Sequence, residues 1–127
     1  MFAKQLTVFI ENRTGRLSEV LNVLRVNNVN ILSLSLADTT EYGLLRLIVS
    51  DPETGKEKLA AAGFSSLLSA VLIIEIPHKA GSLQGLLKSI ELEGVNIEYM
   101  YGLSIDGEQA YVVLKASNLE KADKAIT

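Results

Sequence analysis

Leu6–Ile31 reads LTVFIENRTGRLSEVLNVLRVNNVNI, and Leu72–Ile97 reads LIIEIPHKAGSLQGLLKSIELEGVNI. Laid one on the other, the two stretches place Gly15 on Gly81, an offset of 66 positions (81 − 15 = 66). Leu6 then meets Leu72, Ile10 meets Ile76, Leu17 meets Leu83 and Leu21 meets Leu87. Val29-Asn30-Ile31 falls on Val95-Asn96-Ile97, with conservative pairs between, such as Val8 with Ile74 and Leu24 with Ile90. Further on, one extra residue in the second copy moves the offset to 67, where Asp51-Pro52-Glu53 meets Asn118-Leu119-Glu120. The period is too long for a solenoid repeat and suits a duplicated αβ module of about 65 residues.

Each copy carries the same order of elements. Leu6, Val8 and Ile10 alternate, as do Leu72, Ile74 and Ile76, which predicts a strand in each. A Gly-containing turn follows, Asn12-Arg13-Thr14-Gly15 and His78-Lys79-Ala80-Gly81. Leu17, Val20, Leu21 and Leu24 then recur at i, i+3, i+4 and i+7, and Leu83, Leu86, Leu87 and Ile90 repeat the pattern. That spacing puts four apolar side chains on one helical face. Asn28 and Gly94 stand where these helices should stop, and both types tolerate the left-handed backbone of a helix end. Second strands are expected over Val29–Leu36 and Val95–Leu103, and polar turns over Thr39–Tyr42 and Asp106–Glu108. Third strands follow over Leu44–Val49 and Ala110–Leu114. Second helices begin at Asp51-Pro52, with Pro favoured in a first turn, and at Asn118, a good N-cap. Phe64–Ser69 supplies a fourth strand to the first copy alone, because the sequence reaches Thr127 inside the second copy's second helix.

The order βαββαβ predicts an α+β chain of two tandem ferredoxin-like modules, residues 1–70 and 71–127, the second without its last strand. Each would be an antiparallel sheet with both helices on one face. The third strand Leu44-Leu45-Arg46-Leu47-Ile48-Val49 is nearly apolar throughout, as is Leu72-Ile73-Ile74. Helices cover only one face, so apolar residues on the other imply burial between copies or between chains, and a homo-oligomer, a dimer, is expected.

Composition bounds the function. Of 127 residues, 48% are hydrophobic and 21% charged, a globular balance. The net charge of −3, with Lys and Arg scattered singly, gives no basic face for phosphates. Sheets that read RNA share this strand order but stack bases on aromatics. Here those strands offer Phe9 and Tyr111 without a basic surround, so no nucleic-acid partner is expected. With no Cys and one His, neither a thiolate nor a multi-histidine metal site can be built. Met1–Gln5 has no basic stretch followed by a long apolar run, and no apolar run approaches a membrane span, so a cytoplasmic chain without membrane contact is expected. No serine stands in a nucleophile turn near His78, the acids show no pairing, and there is no phosphate-binding glycine motif. No enzyme and no cofactor is expected.

Glu11-Asn12-Arg13-Thr14-Gly15-Arg16-Leu17 followed by Val29-Asn30-Ile31 resembles the ACT domain, a small-molecule-sensing module often attached to enzymes of amino-acid metabolism. The second copy repeats it as Pro77-His78-Lys79-Ala80-Gly81-Ser82-Leu83 and Val95-Asn96-Ile97. The resemblance covers essentially the whole chain and is strongest to stand-alone tandem ACT proteins. Thr14 and Ala80 depart from the Pro that the family commonly has before the Gly, and His78 stands where the first copy has Asn12. The resemblance implies a regulatory protein that binds a free amino acid in the turn after the first strand, against a neighbouring domain, with an amino-acid metabolic enzyme as a further partner. Asn12 and Asn30 are the positions it carries over. The candidate ligand-binding set is Asn12, Arg13, Thr14, Gly15, Leu17 and Asn30 in the first copy, with His78, Gly81 and Asn96 in the second.

The chemistry of these residue types suits that ligand. A helix N-terminus offers unpaired N–H groups to a carboxylate, Gly admits a close backbone approach, and an Asn oxygen can accept from an ammonium. Each also has a structural use. Gly15 and Gly81 serve as turn glycines, Asn30 and Asn96 as turn-closing residues, and Arg13, Arg16 and Lys79 as solvated surface. Tyr99 and Tyr101 share one strand face, a usual place for packing aromatics.

Overall fold

The computed structural model describes residues 1–38 and 42–127. Along the chain run β1 (Phe2–Glu11), α1 (Arg16–Val26), β2 (Ile31–Asp38), β3 (Tyr42–Val49), α2 (Pro52–Ala61), β4 (Ser65–Pro77), α3 (Ser82–Leu92), β5 (Ile97–Asp106), β6 (Gln109–Ala116) and α4 (Leu119–Ile126). The chain divides into two compact units: Lys4–Ser69, and Met1–Ala3 together with Ala70–Thr127. Apart from Tyr42, the turn expected over Thr39–Tyr42 lies outside the described residues.

In the first unit the strand order is β2-β3-β1-β4, with β2, β3 and β1 antiparallel. Leu6 lies opposite Leu47, and Val8 opposite Leu45. Cross-strand partners share a face, so the alternation of β1 puts these four side chains on one side of the sheet. Val20 and Leu24 of α1 and Leu59 of α2 close over them, and all seven are buried. Burying each such side chain contributes about 1.5–3 kcal/mol. The helix face expected from the i, i+3, i+4, i+7 spacing is the face that packs. Asn28 (φ 58°) ends α1 in the left-handed region, and the Val29 N–H bonds back to the Leu24 carbonyl at 2.9 Å.

The second unit repeats this plan. β4, β6 and β5 are antiparallel, with Leu72 opposite Leu114 and Ile74 opposite Val112. Ile90 of α3 and Ala122 of α4 cover that face.

The structure differs from the sequence reading in three places. The strands expected over Phe64–Ser69 and from Leu72 are one continuous strand, Ser65–Pro77. Only Ala70 and Val71 lie between them, and neither favours a turn. The place beside β4 that the second unit's missing strand would fill is taken by Met1–Ala3. The Ile73 N–H donates to the Met1 carbonyl at 2.8 Å, and the Met1 nitrogen donates to the Ile73 carbonyl at 3.1 Å. Exchange of both bonds by one residue pair is the mark of antiparallel pairing. Finally, the far-face residues Ile48, Val71 and Val113 are already buried within the single chain. The exposed apolar run is instead on the edge strand β2, where Leu32, Leu34 and Leu36 are 53%, 46% and 50% exposed. Leu34 and Leu36 face the helix side, opposite Leu47 and Leu45, beyond the reach of α1 and α2.

Gly55 sets how closely α2 approaches the sheet. A Cβ built there would lie 3.1 Å from Leu6 Cδ2 and 3.4 Å from Leu24 Cδ2, both buried ends with little room to yield. Gly55→Val should therefore overpack the first core and destabilise it by about 1–3 kcal/mol, read as a lower melting temperature by scanning calorimetry.

Candidate functional site

The chain leaves β1 at Glu11 and must enter α1 at Arg16, a near reversal within four residues. Gly15 makes it, with φ 90° and ψ −14°, and Gly81 makes the same turn before α3 with φ 87° and ψ −14°. The loop hydrogen bonds repeat as well. The Arg13 N–H donates to the Glu11 carbonyl and the Arg16 N–H to the Arg13 carbonyl. In the second copy Lys79 donates to Pro77 and Ser82 to Lys79 in the same way. A glycine has no side chain to cap a helix, and neither α1 nor α3 receives a side-chain cap. α2 and α4 are capped by Asp51 and Asn118, whose side chains accept from the Thr54 and Lys121 N–H groups. The two helices that start beside the glycine loops thus begin uncapped, with N–H groups and the positive end of the helix dipole available to an anion.

A cavity lies against each loop. In the first unit, about 320 Å³ is lined by Ile10, Glu11, Asn12, Arg13, Leu17, Leu36, Ala37, Asp38 and Gly43. In the second, about 560 Å³ is lined by Ile76, Pro77, His78, Lys79, Leu83, Gly102, Leu103, Ser104, Ile105, Ala110, Tyr111 and Val112. The two are equivalent under the repeat. Each combines the end of the first strand, the loop, the first apolar residue of the helix, the end of the second strand and the start of the third. Strand pairing assembles them, since Ile10 lies opposite Gly43 and Ile76 opposite Ala110.

Asn12, Arg13 and Leu17 line the first cavity, and His78 the second. Thr14, Gly15 and Gly81 shape the loops without lining the cavities. Asn30 and Asn96 lie at the opposite end of the second strands, on the order of 20 Å away at about 3.3 Å per residue. There each donates its N–H to a serine hydroxyl, Ser50 at 2.8 Å and Ser117 at 3.0 Å, and accepts the same serine's N–H at 2.9 Å. The structure does not bring them to the loops. Sequence reading missed Leu36, Asp38, Gly43, Ile105 and Tyr111, which reach the cavities only through strand register.

Charge differs between the loops. Arg13 Nε donates to Glu11 Oε2 at 2.8 Å, which holds the Glu11 carboxyl below its usual range and raises Arg13. Arg16 is committed elsewhere, bonded to Glu19 and stacked 4.3 Å above the Phe64 ring. In the second copy the His78 N–H donates to the Glu108 carbonyl at 2.6 Å, tying the loop to the β5–β6 turn. Among the described residues, no group of three His, Asp or Glu side chains is placed to hold a metal ion. Nor is any helix long and apolar enough to cross a membrane.

The second unit also shows where its extra residue went. Gly102 pairs with Val112 and Ser104 with Tyr111, which leaves Leu103 without a partner of its own. This β-bulge sits on the cavity wall. It makes Leu36 equivalent to Gly102, both opposite matching positions of the third strand (Leu45 and Val112), and Asp38 equivalent to Ile105.

Two ferredoxin-like α+β modules in tandem, each with a glycine loop and a cavity at the same place, define a duplicated α+β domain. The chain belongs to the family described as the ACT domain pair, whose model matches residues 1–127, and such pairs are regulatory rather than catalytic domains. Among solved structures it is similar to protein BT0572 from Bacteroides thetaiotaomicron, at 39% identity and a TM-score of 0.93, covering 98% of this chain and 86% of that one. It is also similar in fold to the ligand-free regulatory subunit of aspartate kinase from Thermus thermophilus, at 15% identity and a TM-score of 0.68, covering 99% and 93%. The regulatory subunit of aspartate kinase from Thermus flavus gives 14% and 0.67 over the same shares. No curated protein matches the chain.

Gly81 has open space around an added Cβ, so the cost of a side chain there is the left-handed backbone alone. Gly81→Ala should destabilise the fold by about 1–2 kcal/mol, measurable by urea unfolding, whereas Gly85→Ala, in open space within α3, should be neutral or stabilising.

Proposed function

We propose that this chain is an amino-acid-binding regulatory protein, its ligand held at the loop between the first strand and first helix of a unit. The observation that carries this reading is the pair of repeat-equivalent cavities, each beside an uncapped helix start. In the first, a carboxylate would lie at the α1 N-terminus near Arg13, with the Asn12 side chain and Asp38 disposed toward an ammonium. Thr14 and Gly15 set the loop's shape, and Leu17 supplies an apolar wall. In the second, His78 replaces Asn12 and Gly81 repeats the turn. Asn30 and Asn96 act in this reading as fasteners between strands. The regulated partner would be an enzyme of amino-acid metabolism, a role consistent with the likeness to regulatory subunits of aspartate kinase. The ligand acts by binding one arrangement of the assembly more tightly than another.

The assembly we propose is a homodimer through the free edge of β2. Ile31-Leu32-Ser33-Leu34-Ser35-Leu36-Ala37 is nearly palindromic about Leu34. An antiparallel pairing of two copies about a twofold axis there would set Leu32 against Leu36 and Ser33 against Ser35. It would satisfy an exposed strand edge and bury the leucines. Leu36 and Asp38 of the cavity lie on that same strand, so the second copy would wall its open side. Occupation of this surface by an enzyme, without a ligand, is the alternative reading.

A thermal-shift screen against the twenty amino acids tests the proposal. A ligand at about 100 times its dissociation constant should stabilise the fold by about 2.7 kcal/mol, whereas a flat screen at millimolar concentration would leave the enzyme-docking reading. Leu34→Lys should convert the protein to a monomer in sedimentation velocity without unfolding it, because that side chain is half exposed in the single chain. A variant that stays dimeric would rule out the β2 edge.

A further inference from the structure

The two cavities are equivalent in place but opposite in character. Glu11 of the first corresponds to Pro77 of the second, and Asp38 to Ile105, so both carboxylates are gone. Arg13 corresponds to Lys79, so the cation is kept; the acid near it, Glu108, lines a separate recess of about 300 Å³ with Pro77, His78 and Lys79 and is not on the wall of this cavity. The Leu103 bulge puts Gly102 where the first unit has Leu36, and the loss of that side chain accompanies the larger volume, about 560 Å³ against 320 Å³.

A zwitterion needs an acceptor for its ammonium, and a buried or half-buried ammonium without one is costly. The second cavity offers a cation and an uncapped helix start for a carboxylate and an apolar wall including Leu83, Ile105 and Val112; for an ammonium it offers no carboxylate, only the hydroxyls of Ser104 and Tyr111 and the His78 ring. The first offers Asp38 and a Glu11 already shared with Arg13. We infer that the second unit's cavity is a site for an apolar monocarboxylate that lacks an α-ammonium, the class of branched aliphatic 2-oxo acids, while the first keeps the amino-acid preference. This rests on the reading of the loop cavities as ligand sites. The chain would then sense an amino acid in one copy and an apolar carboxylate of the kind made by deamination in the other.

Titration of the full-length chain with 4-methyl-2-oxopentanoate and with leucine, followed by amide NMR, tests it. The amides of Gly102, Ile105 and Val112 report the second cavity, and those of Leu36, Asp38 and Gly43 the first. The 2-oxo acid should shift the second set saturably and bind there at least about fivefold more tightly than leucine, the scale of one partly exposed charge interaction. Lys79→Gln should weaken that binding by a similar factor. Ile105→Asp restores the acid of the first copy at a side chain 65% exposed, so the fold should tolerate it, and it should reverse the preference toward leucine. If leucine or another amino acid shifts the first set while the 2-oxo acid leaves the second unmoved, the inference fails and the sensor reading stands. Equal affinity of the two ligands at the second cavity, or a preference unchanged by Ile105→Asp, overturns it equally. If no amino acid or oxo acid moves either set, both readings fall together.

Discussion

The register between the first and third strands of each unit is the constraint on which the rest depends. Ile10 opposite Gly43, and Ile76 opposite Ala110, hold the glycine loop beside the far end of the second strand. A slip of one residue would turn Leu6 and Val8 away from α1 and α2 and would empty the core. The same slip would carry the loop off the cavity. Stability and site geometry are therefore set by one set of hydrogen bonds, and the buried leucines that fix the first also fix the second.

Much of this was legible before any coordinates. Alternation over Leu6–Ile10 and the i, i+3, i+4, i+7 leucines are local signals, and each was seen twice. Caps were legible because their chemistry is carried by single residues: Asn28 and Gly94 take positive φ, Asp51 and Asn118 accept from the first turn. What escaped was non-local. That Ser65–Pro77 runs unbroken depends on neighbours on both sides of the strand, not on its own composition. That Asp38 and Ile105 face the loops depends on pairing between segments roughly thirty residues apart. The family resemblance and the donor and acceptor of their side chains single out Asn30 and Asn96, whereas the bonds they make to Ser50 and Ser117 run through their main-chain N–H and carbonyl.

The extra residue of the second copy shows the boundary between these two kinds of information. Its existence was plain from the offset. Its position was not, since by letter Leu36 aligns with Leu103 rather than with Gly102. Only pairing shows that Leu103 is the residue without a partner, and that Gly102 takes the place of a leucine.

The placing of Met1–Ala3 in the second unit has a consequence for the gene. β1 gives its first residues to one unit and the rest to the other, and β4 does the same in the opposite sense. Cutting the coding sequence at the repeat boundary would leave the upstream half complete, since that unit is Lys4–Ser69, but not the downstream one. The downstream fragment would lose Met1–Ala3 from beside Ile73, and the upstream one would carry them as a tail with nothing to pair. The dependence runs one way: loss of the first copy takes the strand end Met1–Ala3 from the second, whereas loss of the second takes nothing from Lys4–Ser69.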